Sequence, residues 1–481
     1  MPKDLITYLE DLKKAAPQQM RRVSREISPD FEPWGILRNL EAQGLRPVVL
    51  FDKVKDRHGR ATHTMIANLF AGRIQQAVAL GLGPEQSGVD LTWRVSKFAR
   101  DLKEPAIIDP KEAPVKQVIK KGKEADLFSL PVGLHHEKDA GPYILAASCV
   151  EKDPELGTYN ASMVRMQVKE PQKSMIHIGE GHHNEVIYSR YEKKGQAMPV
   201  AAVIGHHPAF YMGSQYESAG SQAGIDEYEL IGGLLQEPLR VVPSETFGSD
   251  LLVPADAEIV IEGRALPYVR EPEGPVCEHT RYYKAILGDK IIPHEAHVFE
   301  VTAITHKKNP IYIDCFIGHA DQNLIGSIPK EGAVFNAIKM AAPGVTGVNI
   351  SLSGCGRYIC YISLKQRAAG QAKNAILAAM AADWHFKYVI AVDEDINVYD
   401  EADVLWALSL RSQPNKDIFI VPDAMGARLD PSTPLDDRFP YSSKMGIDAT
   451  KPYGQPFSAI GEIPKDVLER MGVDKYVEPY E

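Results

Sequence analysis

The spacing of apolar residues changes period twice along this chain. Up to about residue 115 the pattern is mixed. Ile36, Leu37 and Leu40 fall at helical spacing, Gly44 has the place of a C-terminal cap, and Val48-Val49-Leu50-Phe51 reads as a strand. Residues 66–80 predict an amphipathic helix closed by Gly81 and Gly83, and Pro105, Pro110 and Pro114 mark a linker. From about 116 to 310 the apolar positions alternate or run together in short stretches between Gly and Pro turns. Strands are expected at 144–150, 161–168, 201–204, 258–261 and 297–304, with one helix at 227–235. Many short strands with one helix predict a barrel-like β domain. From about 311 the α/β pattern returns, with an Ala-rich helix at 371–384, a buried strand at 388–392, a helix at 404–410 and a short terminal helix at 464–472. The fold class is therefore mixed, α+β or α/β, in three domains: 1–115, 116–310 and 311–481.

Composition narrows the function classes. At 481 residues, 44% hydrophobic and 25% charged, the chain has the profile of a globular protein with ample core. A net charge of −10 argues against nucleic acid, because phosphate backbones need concentrated Lys and Arg. The densest basic run, Lys120-Lys121-Gly122-Lys123, reads as a solvated turn. No run of 18 apolar residues predicts a membrane span, and no apolar signal core follows Met1. The five cysteines, Cys149, Cys277, Cys315, Cys355 and Cys360, include no C-x-x-C pair, which fits reduced thiols and a cytoplasmic location.

The stretch most suggestive of chemistry is Glu273-Gly274-Pro275-Val276-Cys277-Glu278. Its Gly and Pro exclude regular helix, and two carboxylates on an irregular loop suit acid/base work, one ionised and one tuned to deliver a proton. Cys277 between them is a poor nucleophile, since neighbouring carboxylates raise a thiol pKa. Upstream lie Asn160 and Arg165, the pair His182-His183, and Asp226-Glu227-Tyr228. Asn160 and Arg165 are five residues apart, so a regular strand would place them on opposite faces unless it bends. Either Asp226 or Glu227 suits the start of a helix.

Together with Glu137-Lys138-Asp139-Ala140-Gly141-Pro142-Tyr143 and Ser443-Lys444-Met445-Gly446-Ile447-Asp448-Ala449-Thr450, these segments resemble the UbiD-type decarboxylases, which use prenylated FMN to remove CO2 from unsaturated and aromatic acids. The resemblance is densest between Leu130 and Tyr283. It implies a central split β-barrel that binds the flavin, flanked by N- and C-terminal α/β domains. It implies Arg165, Glu273 and Glu278 as the catalytic set, with Glu278 as proton donor. It places Asn160, His183 and Glu227 on a metal, Mn2+ or Mg2+, with K+ nearby. It puts Ser162, Met163, Val164, Arg165, His182, His183, Glu227 and Lys444 around the cofactor, Lys444 as a phosphate contact. An O/N ligand set completed by phosphate oxygen suits a hard divalent ion. The expected partners are a small carboxylic acid and a flavin prenyltransferase that supplies the cofactor, with a homodimer or homohexamer as the assembly and the C-terminal tail packed on a neighbouring subunit.

The expected reaction is reversible, non-oxidative decarboxylation of an aromatic, heteroaromatic or α,β-unsaturated acid. The segment Phe316 to Leu324 is the expected substrate loop, with His319 or Asn323 on a ring substituent. Two other classes stay open on sequence: a non-catalytic flavin- or phosphate-binding assembly factor, and a metal-dependent hydrolase using His183, Glu227 and the acidic run Asp393 to Asp395. That run reads otherwise as structural or interfacial. No G-x-G-x-x-G follows a strand, so a dinucleotide fold has no support.

Overall fold

The computed structural model describes residues 2–97, 101–179, 181–216, 225–292, 294–433, 440–472 and 476. It is a mixed α/β structure of several sheets. The N-terminal part opens on the helix Leu5–Ala15, capped by Asp4 and Thr7 in a reciprocal box, with Leu5, Tyr8 and Leu12 buried along one face. It packs with the helix Arg73–Ala79. A four-stranded sheet is ordered Met20–Ile27, Val48–Lys55, Ala61–Ala67 and Ile311–Ile313. The fourth strand arrives from far along the chain and pairs in parallel with Ala61–Ala67.

The expected helix at 66–80 is corrected here. Ile66 and Ala67 end a strand, and only Arg73–Ala79 is helical. Between them Asn68 takes a positive φ of 59°, and the buried carboxylate of Asp321 accepts from the Asn68 and Phe70 amides. A tertiary contact thus bends a run that is apolar enough to pass for one helix. The expected linker is likewise tied down, because Ala106–Ile107 pairs with Arg240–Ser244 in a three-stranded sheet.

The central part is a nine-stranded sheet. Its path runs Tyr143–Ile144, Met166–Glu170, Lys173–Ile176, His294–His306, Ile259–Glu273, Met198–Ile204, Ser148–Lys152, Tyr159–Met163, and Val118–Lys121 pairs off that path with His294–His306. In a flat sheet the second and last strands of the path would stand about 29 Å apart at ~4.8 Å per strand. Only Val164 and Arg165 join them, and three Cα steps reach about 11 Å. The sheet therefore curls until its last strand and its second strand come together at that corner. There the Val164 amide donates to Ala147 O and the His177 amide to Arg165 O. Among its described residues this part carries three α-helices, not one: His183–Glu192, Pro208–Gly213 and Glu227–Leu235. The first has almost no apolar face and the second is buried all round, so neither shows the amphipathic period.

The C-terminal part is a five-stranded sheet ordered Val345–Ile350, Ile359–Leu364, Tyr388–Asp393, Tyr441–Ala449 and Ile418–Met425. The 22-residue helix Ala320–Ala341 leads into it. This helix begins inside the expected substrate loop, so residues 320–324 are helical. Gln371–Ala382, Glu401–Arg411 and Lys465–Arg470 are the expected later helices. Asp393 and Asp395 both pair with Arg411, and Lys451 Nζ reaches Asp395 at 2.6 Å. Among the described residues no helix is long and apolar enough to cross a membrane.

Candidate active site

The corner at Val164 and Arg165 forms part of the wall of a cavity of about 500 Å³, a size that suits a cofactor or small ligand. The break at Val164 and Arg165 is the bend that the spacing required. It puts Asn160 and Arg165 on the same cavity, together with Ser162, Met163 and Val164.

Arg165 bridges the two carboxylates. Its Nε and Nη2 each donate to Glu273 at 3.1 Å, and Nη1 lies 3.3 and 3.4 Å from the oxygens of Glu278. The Tyr143 hydroxyl donates to Glu273 Oε1 at 2.9 Å. Glu273 is not on an irregular loop as expected. It ends the strand Ile259–Glu273 and pairs across to His294, and the chain leaves regular structure only at Gly274. Glu278 does lie in the loop, on the cavity, whereas Glu273 stands behind Arg165 and does not line it. Four contacts hold the loop: the Gly274 amide to Gln167 Oε1, the Ala140 amide to Pro275 O, the Cys277 amide to Asp139 Oδ1, and the Glu278 amide to Tyr282 O.

The environment separates the two acids. Burial pushes the Glu278 carboxyl up, Arg165 opposes this, and the charge of Glu273 adds to the rise, so the net shift is upward. Burial also acts on Glu273, but the Arg165 charge and the hydrogen bonds from Arg165 and Tyr143 outweigh it and hold that carboxyl below its ordinary value. Paired titratable groups driven apart are the arrangement of an acid and its ionised partner. Burial and the nearby Asp139 and Glu278 push the Cys277 thiol up to about 12, which removes it as a nucleophile.

At another wall, two helices begin at the cavity. His182 is the cap of His183–Glu192, and Asp226 caps Glu227–Leu235 by accepting from the Tyr228 amide. His182, His183, Asn184 and Glu227 line the cavity. Helix N-termini carry partial positive charge and free amides, which suit a phosphate. Glu227 Oε1 is 3.7 Å from His183 Nδ1, and Glu227 Oε2 accepts from the Ala161 amide of the neighbouring edge strand. Asn160, next to Ala161, turns its Nδ2 to Glu151 at 2.9 Å. The three expected ligands are thus brought together. Ser162 Oγ and Glu151 Oε1 are buried without a hydrogen-bond partner among the described residues. Glu151, fully buried, and Glu227, half-buried, lie close together: burial raises both carboxyls, and the charge of Glu227 adds to the rise at Glu151, beside one amide and one histidine. This donor set fits a hard divalent cation.

Some expected contacts fall elsewhere. Lys444 is buried on the strand Tyr441–Ala449 and donates to Trp384 O; Trp384 lines the cavity and Lys444 does not. His319 bonds Glu41 at 2.6 Å and stacks on Phe316, away from the cavity, and Asn323 is buried outside its lining. From that segment the cavity takes Ile317, Gln322 and Ile325 instead, because helical spacing from Ala320 turns Asn323 inward. Sequence reasoning missed Lys330, Arg357 and His177, which all line the cavity. No motif surrounds them, and they meet only through the packing of three separate elements. His177, Glu273 and His294 bring ligand atoms within 4.8 Å of one another. Glu273 already holds the Arg165 guanidinium there, a cation that repels another.

Three family models cover most of the chain. The N-terminal, Rift-related and C-terminal domains of 3-octaprenyl-4-hydroxybenzoate carboxy-lyase match residues 10–95, 106–320 and 323–449. The chain belongs to the UbiD family of carboxy-lyases. The UbiD-class enzyme HmfF from Pelotomaculum thermopropionicum, solved in complex with FMN, superposes with a TM-score of 0.87 at 35% identity, over 98% of this chain and 100% of that one. An evolved dimeric form of the same enzyme, solved with prenylated FMN, gives a TM-score of 0.84 at 33% identity, over 98% and 100%. The anhydromevalonate phosphate decarboxylase of Methanothermobacter thermautotrophicus is 33% identical over 329 residues, covering 68% of this chain and 74% of that protein. The UbiD neighbours thus include enzymes with FMN or prenylated FMN bound, and the mixed α/β architecture is that of the family.

Proposed function

We propose that this UbiD-family carboxy-lyase carries out reversible, non-oxidative decarboxylation of an aromatic, heteroaromatic or α,β-unsaturated carboxylic acid with prenylated FMN. One observation carries the reading. Arg165 spans an acid whose pKa is held down and an acid whose pKa is pushed up, and only the raised one, Glu278, faces the cavity. When bound, the modified flavin supplies the electron sink for the carbon that loses CO2. The chain supplies position and the proton. Arg165, fixed by the bidentate grip of Glu273, presents its remaining donors toward the cavity and the substrate carboxylate. Glu278 delivers its proton to the vacated carbon.

Asn160, His183 and Glu227 would hold a Mn2+ or Mg2+ ion with K+ nearby, and the two helix N-termini beside them would receive the flavin phosphate. Ser162, Met163, Val164 and His182 would border the flavin. The tail exposes Tyr453, Phe457, Ile460, Ile463, Leu468 and Met471, a row of apolar side chains that a second copy would cover in a homo-oligomer. Five free cysteines, four of them buried, suit a reducing cytoplasm. The hydrolase reading loses its acidic cluster, since Asp393 and Asp395 are engaged by Arg411 and Lys451 and lie off the cavity lining.

The test compares protein purified from cells with and without a flavin prenyltransferase. CO2 release from a panel of aryl and acrylic acids is expected only from the first preparation. Equal release from a preparation that mass spectrometry shows to hold only FMN would contradict the proposal.

A further inference from the structure

Glu151 lies directly behind the cavity wall. The strands Ser148–Lys152 and Tyr159–Met163 are antiparallel, and Glu151 and Asn160 are partners in their register. Cross-strand partners share a face of the sheet, so the two side chains meet. Glu151 is fully buried, does not line the cavity and accepts from Asn160 Nδ2 at 2.9 Å. Its second oxygen has no partner among the described residues. A whole carboxyl is thus buried, at considerable desolvation cost, for one hydrogen bond.

The geometry of an asparagine explains the need. Its amide has one end that can ligate a cation, the oxygen, and one that cannot, the NH2 group. Packing alone distinguishes the two ends poorly, because they have nearly the same shape. A carboxyl keeps an acceptor oxygen in either protonation state, so it draws the NH2 end toward itself. Asn160 lines the cavity, and among the described residues nothing donates to its Oδ1. With the nitrogen turned inward, the oxygen is the atom left facing the ligand space.

We infer that Glu151 is a positioning residue for the cation site, holding the Asn160 amide with its oxygen toward the cavity. This rests on the reading of Asn160 as a metal ligand. Partners of this kind set the orientation of a ligand, and their loss lowers metal affinity about 10- to 100-fold.

The experiment is a Mn2+ titration of the full chain with saturating FMN, read by the EPR signal of the free ion, with a thermal melt on each variant. Asn160→Ala should weaken Mn2+ binding; if it binds as the wild type does, the ligand reading itself is wrong and the inference falls with it. With that control in place, Glu151→Met, similar in size and without a strong acceptor, should weaken binding about 10- to 100-fold. Glu151→Gln, whose amide can offer Asn160 either its carbonyl or its NH2, should fall between the wild type and Glu151→Met. Asn160→Asp in the Glu151→Met background should recover binding, because a carboxylate offers oxygen at both ends. Wild-type affinity in a folded Glu151→Met variant, or no recovery in the double variant, would overturn the inference. Should Glu151→Met fail to fold, Glu151→Ser takes its place under the same expectation. Failure of both to show a native transition would make Glu151 a residue of the fold and would equally overturn it.

Discussion

Two buried carboxyl clusters meet at one cavity, and they balance charge in opposite ways. At the first, Glu273 and Glu278 share Arg165, with Tyr143 as a further donor. The chain itself supplies the cation, and the geometry exists before any ligand arrives. At the second, Glu151 and Glu227 sit with an amide, a backbone N–H and a histidine 3.7 Å away. Burial pushes both carboxyls up. No lysine or arginine is paired with either among the described residues, so any cation at this cluster would have to come from outside the chain. On the proposed reading, the proton-transfer half of the site is built in advance and the anchoring half would be completed by what binds there.

The largest effect should come from removing the cation of the first cluster. Arg165→Met leaves two buried acids without their partner, so stability should fall by about 3–5 kcal/mol and turnover should be lost. Thermal melts and CO2 release on the same samples check both. Glu278→Gln keeps the shape but has no acidic proton, and turnover should fall by roughly 10²- to 10⁴-fold with flavin still bound. At the second cluster, Asn160→Ala, His183→Ala or Glu227→Ala should lower metal and flavin content together, read by elemental analysis and visible absorbance. Full occupancy in all three would show that the cluster does not anchor the cofactor.

A smaller effect concerns pH. In the proposed reaction Glu278 acts in its protonated form, so the rate should fall as pH rises through its raised pKa. Burial raises that pKa first, and the negative charge of Glu273 raises it further. Glu273→Gln removes that charge and leaves Arg165 less compensated, so the falling limb of the kcat/KM profile should move to lower pH. A limb that moves to higher pH would reverse the assigned roles. Smallest of all, Cys277→Ala should leave turnover near wild type, because a thiol pushed up to about 12 is not a nucleophile at neutral pH.

The two clusters also differ in how far they could be seen in the sequence. Glu273 and Glu278 stand five residues apart around a Gly and a Pro, and Asn160 precedes Arg165 by five, so short spacing and family resemblance together picked them out. Which acid faces the cavity was not visible in that spacing, since it depends on where the strand Ile259–Glu273 ends. Glu151 had no local signal at all. Its role follows from strand register, and a one-residue shift would turn it to the other face. Lys330, Arg357 and His177 reach the cavity from three elements far apart in the chain, and no periodicity reports such a meeting. His319 and Asn323 sat in the right neighbourhood, but the helix that starts at Ala320 turned the cavity side to Ile317, Gln322 and Ile325. The split at Val164 and Arg165 was anticipated only as a condition: Asn160 and Arg165 could share a site if the strand bent between them.

The division between a prebuilt half and a completed half is tested most directly by a visible spectrum. Glu278→Gln and Asn160→Ala should be purified side by side from cells that make prenylated FMN, and their flavin absorbance compared at equal protein concentration. The account predicts a coloured Glu278→Gln protein whose CO2 release is at least about 10²-fold below wild type and a pale Asn160→Ala protein. Equal colour in the two, or a colourless Glu278→Gln protein, would contradict it.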